Sequence, residues 1–136
     1  MTIRFAGYAL LASLIMVGGQ FGCSTTPSSR SSAEVGFEGT AEKLCEEYMA
    51  NEVAADEEYT DKVAVVSGRV KYISKDILGA PRVRLANPEF TACGVECTFP
   101  RKDKSVASLS PGQYVTIRGK VIGKLGDVKL VDCSLQ

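Results

Sequence analysis

The chain has 136 residues, 45% of them hydrophobic and 24% charged, which leaves room for one domain and a tail. It contains no His and no Trp, and this excludes imidazole acid–base catalysis and any metal site with imidazole ligands. The formal net charge is zero, so the total charge by itself indicates neither a nucleic acid nor an acidic partner.

The charges are unevenly distributed along the chain. Residues 34–61 hold ten Asp or Glu and one Lys, whereas residues 62–136 hold thirteen Lys or Arg and six Asp or Glu. Such an asymmetry either marks a surface for a polyanion or is neutralised within the molecule. We expect the acidic segment to neutralise the basic one.

Residues 1–22 have the pattern of a signal peptide. Residues 5–17 are thirteen almost purely apolar residues, too few for a membrane-spanning helix, which needs about 20. Gly22 and Cys23 follow, and the whole stretch resembles a bacterial lipoprotein signal, although Gln20 stands where an aliphatic residue is usual. The resemblance implies that Cys23 is lipidated and becomes the first residue of the mature protein.

A lipid anchor would place the protein in the cell envelope, and Ser24 is compatible with the outer membrane, facing the periplasm. One alternative is ordinary signal cleavage near residues 22–25, which would give a secreted domain. A less favoured one is an intact transmembrane anchor. Residues 23–39 are rich in Ser, Thr, Pro and Gly, so they are predicted to form a lipid-anchored flexible tether.

Residues 40–136 are predicted to form one domain that begins with an amphipathic helix. Thr40 is a candidate N-cap, and residues 41–53 have apolar side chains at helical spacing. The apolar face is predicted to contain Ala41, Leu44, Cys45, Tyr48, Met49 and Val53. We expect this face to pack on the rest of the domain, with docking of a partner helix as the alternative. The acidic residues 52–61 are predicted to lead into the first strand.

Five stretches have the pattern of β-strands: residues 62–73, 81–86, 92–99, 113–122 and 128–135. Gly68 lies inside the first stretch and Gly119 inside the fourth, each within a similar run of alternating apolar residues. We expect both glycines to permit bends. A short helical turn is predicted within residues 100–110. This order is that of a mainly β, five-stranded OB-fold barrel with a short helix between strands three and four, in which the first and fourth strands are neighbours.

A second argument for this fold comes from a set of residues spread over residues 40–136. The set comprises Tyr48, Asn51, Ala55, Asp56, Tyr59, Val66, Gly68, Val70, Ile73, Val95, Cys97, Phe99, Leu109, Gly112, Gln113, Val115, Ile117, Gly119, Leu130, Asp132 and Cys133. In this pattern the chain resembles the tRNA-anticodon-binding-like OB-fold family of bacterial lipoproteins. The resemblance implies the OB fold and an envelope location, but it implies no activity and assigns no functional residue.

Four cysteines remain if Cys23 is lipidated: Cys45, Cys93, Cys97 and Cys133. An oxidising compartment favours disulfides, and three pairings are possible. Cys97–Cys133 is the preferred bridge, because both residues lie in the inward phase of strands that are adjacent in an OB barrel; two buried free thiols are the alternative. Cys45–Cys93 would then join the helix to the third strand. No metal site is expected, since its thiolates would be spread over a helix and three strands.

OB barrels bind ligands on the exposed face of the second and third strands, between two loops. The loops here are residues 74–80 and 123–127. The predicted ligand-face residues are Arg69, Lys71, Arg82, Arg84, Glu96 and Thr98. The arginines could hold phosphates or acidic sugars. No aromatic side chain is expected on this face, because Tyr72 and Phe99 are assigned to the inward phase and Tyr114 lies on the fourth strand.

These observations favour an envelope-anchored binding module for an envelope protein or a glycan. A structural envelope lipoprotein without a small ligand is the alternative. Single-stranded nucleic-acid binding is a lesser alternative, because the face has no predicted aromatic platform and the location is outside the cytoplasm. An enzyme is not expected, since the chain has no nucleophile motif, paired carboxylates or phosphate-cradling glycine loop, and no cofactor is predicted.

Overall fold

A computed structural model describes Gly18, residues 33–89 and residues 92–136. Residues 1–30 and 31–136 form two separate units, so the fold below is that of the second unit. Cys23, the predicted signal peptide apart from Gly18, and the predicted tether up to residue 32 lie outside the described residues. No helix in the described part is long and apolar enough to cross a membrane.

The described residues of the second unit form six strands, two α-helices and a short 3-10 helix. In chain order these are β1 (Val35–Thr40), α1 (Ala41–Ala50), α2 (Glu52–Tyr59), β2 (Val63–Lys75), β3 (Pro81–Leu85), β4 (Val95–Thr98), the 3-10 helix (Ser105–Ser108), β5 (Tyr114–Leu125) and β6 (Asp127–Leu135).

Strands β2 to β6 form a closed five-stranded barrel in the order β2–β3–β4–β6–β5, with β5 returning to β2. The long strand β2 makes closure possible, because its first half pairs with β5 and its second half pairs with β3. The prediction of a mainly β, five-stranded barrel is confirmed, including the pairing of its first and fourth strands and the helical element between its third and fourth. The core is built from inward side chains such as Val66, Val83 and Ile117, all fully buried.

Strand β1 corrects the predicted tether, which was expected to extend to residue 39. Residues Val35–Thr40 pair in parallel with the first half of β2. Phe37 is buried, and its ring meets the ring of Tyr59 edge-on at a centroid distance of 5.7 Å. The composition of the whole stretch concealed this short strand, because one buried aromatic is outweighed by many small polar residues.

The helical region also differs from its prediction, since it contains two helices instead of one followed by a connector. Asn51 has an extended backbone (φ −160°, ψ 95°), which ends α1, and its side chain accepts a hydrogen bond of 3.1 Å from the N–H of Ala54, which caps α2. Thr40 caps α1 as predicted, by accepting from the N–H of Lys43. Val53 lies beyond the break and is exposed, and Met49 is exposed within α1, so neither belongs to the buried face predicted for one continuous helix.

Close packing surrounds both strand glycines, far more tightly at Gly119 than at Gly68. A Cβ placed on Gly119 would lie 2.6 Å from the Cys133 Sγ, and one on Gly68 would lie 3.3 Å from the Cβ of Ala41. The register shift in β2 lies between Val70 and Tyr72 and not at Gly68, which corrects the predicted position of the bend.

The second predicted bridge, Cys45–Cys93, is confirmed, with the two Cα atoms 5.8 Å apart, and it ties α1 to the segment before β4. The preferred bridge, Cys97–Cys133, is wrong, because both of these thiols are free and buried. The pKa of Cys97 is raised well above its usual value, first by hydrogen bonding with Cys133 and then by burial. The preference relied on adjacent strands, whereas the tertiary packing of α1 brings Cys45 to Cys93.

Candidate ligand-binding face

The outward surface of β3 and β4 is the candidate site, and we call it the β3–β4 face. Arg82 lies opposite Thr98 and Arg84 lies opposite Glu96 in the register of these two strands. Residues Val83 and Cys97 between them are fully buried, so the alternation of a strand directs these four candidates away from the core. The structure therefore brings Arg82, Arg84, Glu96 and Thr98 together on adjacent strands.

Arg84 is held by Asp127 in a bidentate ion pair. The Arg84 Nε and Nη2 atoms donate to the two Asp127 carboxylate oxygens at 2.6 and 2.7 Å, and the Gly94 N–H donates to the same carboxylate at 2.8 Å. The Arg84 and Asp127 side chains are only 13% and 16% exposed. The hydrogen bonds with Arg84 lower the pKa of Asp127, and the bonds with Asp127 raise the pKa of Arg84. Arg84 is thus a structural clamp between the β5–β6 turn and β3.

Gly94 completes this clamp by leaving space for the guanidinium group. A Cβ placed on Gly94 would lie 2.9 Å from the Arg84 Cζ and 2.9 Å from the Leu85 carbonyl oxygen. The sequence places Asp127 in the predicted loop of residues 123–127 and does not reveal this role. An acidic residue at the mouth of a hairpin opposite two strand arginines is the signal that could have identified it.

Glu96 is a buried anion, which corrects its prediction as an exposed ligand contact. It is 6% exposed, and its Oε1 accepts hydrogen bonds from the Arg82 Nη1 at 3.0 Å and the Lys129 Nζ at 2.9 Å. Lys129 lies beside it because β6 pairs with β4 in a register that opposes the two residues. The cations of the β3–β4 face are therefore largely occupied by carboxylates of the same molecule.

Arg69 and Lys71 are exposed but lie away from the centre of the β3–β4 face. They border a shallow cavity of about 360 Å³ together with Ala86, Pro88 and Gly112, beyond the end of β3. The Arg69 Nη1 donates a 3.1 Å hydrogen bond to the Gly112 carbonyl oxygen. The structure therefore separates these two cations from Arg82 and Arg84.

Tyr72 is an exposed aromatic residue beside Arg84, which corrects its prediction as an inward residue. Its side chain is 41% exposed, and the Arg84 Cζ lies 5.9 Å from the ring centroid. The register shift between Val70 and Tyr72 is the reason, because one extra residue reverses the alternation of all later positions. Phe99, in contrast, is buried as predicted.

Apolar side chains stand at both ends of the face, on the loops that flank it. Ile77 is fully exposed and Leu78 mostly so on the β2–β3 loop, and Leu125 is 82% exposed at the β5–β6 turn. The Asp76 Oδ1 orders the first loop by accepting from the N–H groups of Leu78 and Ala80, both at 2.8 Å. Adjacent exposed apolar residues, such as Ile77 and Leu78, mark a candidate interaction site, and no pattern in the sequence indicates it.

A search for metal ligands gives no group of three or more His, Cys, Asp or Glu side chains among residues 33–89 and 92–136. The described part of the chain thus offers the exposed β3–β4 face, flanked by loops with apolar side chains. The ion pair of Arg84 with Asp127 and the ion pairs of Glu96 hold the strands of this face together.

The family model described as tRNA_anti-like matches residues 10–135. The chain belongs to the tRNA_anti-like family. A solved structure with the same fold is that of a proposed nucleic acid-binding lipoprotein from Klebsiella pneumoniae, with a TM-score of 0.62 and 20% sequence identity over 73% of this chain and 90% of the other. No curated protein matches the sequence. Membership of the tRNA_anti-like family accounts for the barrel, and at this identity the Klebsiella structure supports the fold alone.

Proposed function

We propose that this tRNA_anti-like protein is an envelope-anchored lipoprotein whose barrel binds a protein partner. The observation that carries the proposal is the pair of apolar loop tips, Ile77 with Leu78 and Leu125, at the two ends of a face whose own charges are compensated. Binding interfaces combine aromatic or aliphatic anchors with a surrounding rim of polar groups whose hydrogen bonds are satisfied.

The charge arrangement argues against a polyanion as the main ligand. Phosphate contacts depend on cations that can exchange counterions for phosphate oxygens. Arg84 is instead bound to Asp127, and Arg82 and Lys129 share Glu96. A phosphate would have to displace these internal carboxylates, which repel it because they also carry a negative charge.

A glycan, the other ligand that the sequence favoured, would require aromatic platforms for sugar rings. Tyr72 of β2 is the exposed aromatic residue beside the β3–β4 face in the described part of the chain. A single ring offers little surface on which a sugar could stack, so we favour a protein partner over a glycan.

Single-stranded nucleic-acid binding is the second candidate, and one observation favours it. Tyr72 is exposed beside Arg84, and an aromatic ring next to an arginine is a platform on which a base can stack. The Klebsiella structure was described as that of a proposed nucleic acid-binding lipoprotein. This candidate predicts that a fluorescent single-stranded oligonucleotide binds with strong salt dependence and that Tyr72→Ala weakens binding about tenfold.

The membrane anchor in this proposal relies on the lipoprotein-type signal that ends at Cys23. Mass spectrometry of the mature N-terminus tests it, with an acylated residue 23 as the expected result. An unacylated terminus beyond residue 23 would contradict the anchor and favour the secreted alternative, while leaving the proposal for the β3–β4 face intact.

Photo-cross-linking in the native envelope tests the binding face. A photoreactive residue at position 77 or 125 is expected to capture one protein in a discrete complex. The same probe at position 53 serves as the matched control, because Val53 is exposed and apolar but lies on α2. Equal products from all three positions, or none from the loops, would contradict the proposal and leave the structural lipoprotein without a bound ligand as the better description.

Affinity measurements with the captured partner then test the energetics. Ile77→Ser combined with Leu78→Ser is expected to weaken binding at least tenfold, because it removes the apolar side chains proposed to contact the partner. A tenfold loss corresponds to about 1.4 kcal/mol of binding free energy. Met49→Ser combined with Val53→Ser removes similar exposed apolar surface from the helices and is expected to change binding less than twofold. Charge reversal of Arg82 or Arg84 is a poorer test, because it would leave a buried carboxylate without its partner.

A further inference from the structure

A cavity of about 530 Å³ lies between the β2–β3 loop and the segment that carries the 3-10 helix. It adjoins the β3–β4 face at its loop end, but its walls come from other residues. Its lining comes from the end of β2, the β2–β3 loop, the start of β3 and residues 101–107. Its volume lies within the range of about 300–1,000 Å³ that is typical of small-molecule sites.

The floor of this cavity is apolar. Ile73 follows the register shift in β2 and is partly buried against the core, while Val106 of the 3-10 helix is 3% exposed. Pro81 and Ala107 complete the apolar surface from β3 and the 3-10 helix. A ligand with a hydrocarbon body could cover this apolar surface and exclude water from it without burying a polar group of the floor.

The rim of the cavity is cationic. Lys75, Arg101 and Lys104 are exposed, and none of them forms an ion pair with a described residue. Asp103 is the single acidic residue in the lining, and its Oδ1 accepts hydrogen bonds from the backbone N–H and the hydroxyl of Ser105, at 2.8 and 2.5 Å. The rim therefore has two more positive than negative groups, in contrast to the compensated β3–β4 face.

Ser74 adds a polar group within the cavity wall. Its Oγ atom is buried and has no hydrogen-bond partner among the described residues. This atom is shielded from the cavity, so the anionic group is expected to meet the cations of the rim and not this hydroxyl.

We propose that this cavity binds a small amphipathic anion, a molecule with a phosphate or carboxylate group on an apolar chain. The apolar body lies on the surface formed by Ile73, Pro81 and Val106, and the anionic group meets the cations of the rim. This inference goes beyond the proposed function, since the ligand, the residues and the chemistry differ from those of the β3–β4 face. A membrane lipid and a free metabolite could both supply this chemistry.

Calorimetric titration of the full-length Cys23→Ser chain tests the proposal, with octyl phosphate as the probe. Octyl glucoside keeps the chain without the negative charge, and inorganic phosphate keeps the charge without the chain. The expected result is one site per chain for octyl phosphate, with an affinity at least tenfold higher than for either control compound. Equal binding of octyl phosphate and octyl glucoside, or of octyl phosphate and inorganic phosphate, would overturn the proposal.

Two sets of variants locate the site. The triple variant Lys75→Ala, Arg101→Ala, Lys104→Ala is expected to bind octyl phosphate at least tenfold more weakly. The matched triple variant Arg69→Ala, Lys71→Ala, Lys102→Ala removes the same charge from outside the cavity and is expected to stay within twofold of the wild type. Equal losses in the two triples would show a non-specific charge effect and overturn the site.

Ala107→Trp provides a test that leaves the charge unchanged, because the indole fills the cavity from an exposed lining position. It should abolish octyl phosphate binding without lowering the melting temperature, and retained binding would overturn the proposal.

Vesicles that contain phosphatidylglycerol distinguish a membrane lipid from a free metabolite as the natural ligand. Binding to these vesicles and not to phosphatidylcholine vesicles indicates a lipid. Binding of octyl phosphate without vesicle binding indicates a free ligand. Ile77→Ser with Leu78→Ser should leave both unaffected, which separates this site from the β3–β4 face.

Discussion

Arg84 and Asp127 show at the scale of single residues why exposed-looking strand positions need not be ligand contacts. Both lie on the outside of the barrel, yet their side chains are largely covered and bound to each other. Glu96 repeats the arrangement with Arg82 and Lys129. Strand alternation identifies the face of the sheet on which a side chain lies. Its burial also depends on the side chains that neighbouring strands contribute to the same face.

We predict that Asp127→Asn lowers the free energy of unfolding at pH 7 by about 2 kcal/mol, because Arg84 loses a largely buried, charge-assisted partner. The folded-state pKa of Asp127 lies below its ordinary value of 3.8, so folding favours the deprotonated carboxylate. Its stabilising contribution is therefore complete above about pH 4 and is lost as the pH falls through the lower folded-state pKa.

Urea denaturation between pH 2 and pH 7 checks this prediction. The stability difference between the wild type and Asp127→Asn should shrink as the pH falls below about 4. Glu89→Gln removes an exposed carboxylate after β3 and serves as the control, with little change expected at any pH. A stability difference that persists unchanged down to pH 2 would contradict the ion-pair explanation.

The cysteines lead to a second prediction at this scale. In the Cys23→Ser chain, a thiol reagent should find no reactive group in the native protein and two groups after unfolding, because Cys97 and Cys133 are buried and Cys45 is bonded to Cys93. Non-reducing peptide mapping should recover the Cys45–Cys93 peptide. A linked Cys97–Cys133 peptide would contradict the assignment. Replacing Cys45 and Cys93 by Ser should cost about 2–4 kcal/mol of stability.

At the scale of elements, β5 leaves no room for a side chain where Gly119 approaches β6. A Cβ on Gly119 would lie 2.6 Å from the Cys133 Sγ and 3.2 Å from both the Leu130 Cβ and the Val131 carbonyl oxygen. A side chain at this position would force both backbone and core atoms to move, which would disturb the pairing of β5 with β6. The glycine is therefore required by the proximity of β6.

We predict that Gly119→Ala destabilises the domain by about 1–3 kcal/mol through overpacking. Gly68→Ala is the comparison, because its Cβ would meet atoms at 3.3 and 3.4 Å, which need to move only slightly. Thermal denaturation should rank the two variants in this order. A larger loss for Gly68→Ala would show that β2 is the more constrained strand.

Local breaks in the elements decided which residues are exposed. Asn51 ends α1 and begins α2, so Val53 leaves the buried face that a continuous helix would give it. The register shift after Val70 does the same for Tyr72 on β2. Both features insert an irregularity into a regular period, and a period measured over the surrounding residues does not reveal it.

At the scale of the whole molecule, the acidic and basic segments do not neutralise each other extensively. Among the described residues, Glu52 and Lys124 form the ion pair that joins a helix to the barrel, at 3.5 Å, and Glu52 is half exposed. This corrects the expectation that the acidic helix neutralises the basic domain. The barrel neutralises its own β3–β4 face instead and leaves the cations of the cavity rim unpaired.

The boundary of the domain gives the prediction at this scale. A chain that begins at residue 40 lacks β1 and Phe37, whose removal from a core costs about 3–5 kcal/mol. We expect it to melt at a distinctly lower temperature than a chain that begins at residue 31. Equal melting temperatures would mean that β1 contributes nothing, and the tether would then extend to residue 39 as its composition suggested.

The sequence by itself determined the strand order, the closure of the barrel and the family, because these follow from alternation, turn residues and a pattern spread over the domain. The tertiary structure alone decided that Cys97 and Cys133 remain free thiols, that Tyr72 is exposed and that Glu96 is buried. The burial of Glu96 depends on the pairing of β6 with β4, and the exposure of Tyr72 depends on the register shift of β2 against β3. A local pattern specifies which side chains face away from the core, but only the packing of distant segments determines which groups those side chains contact.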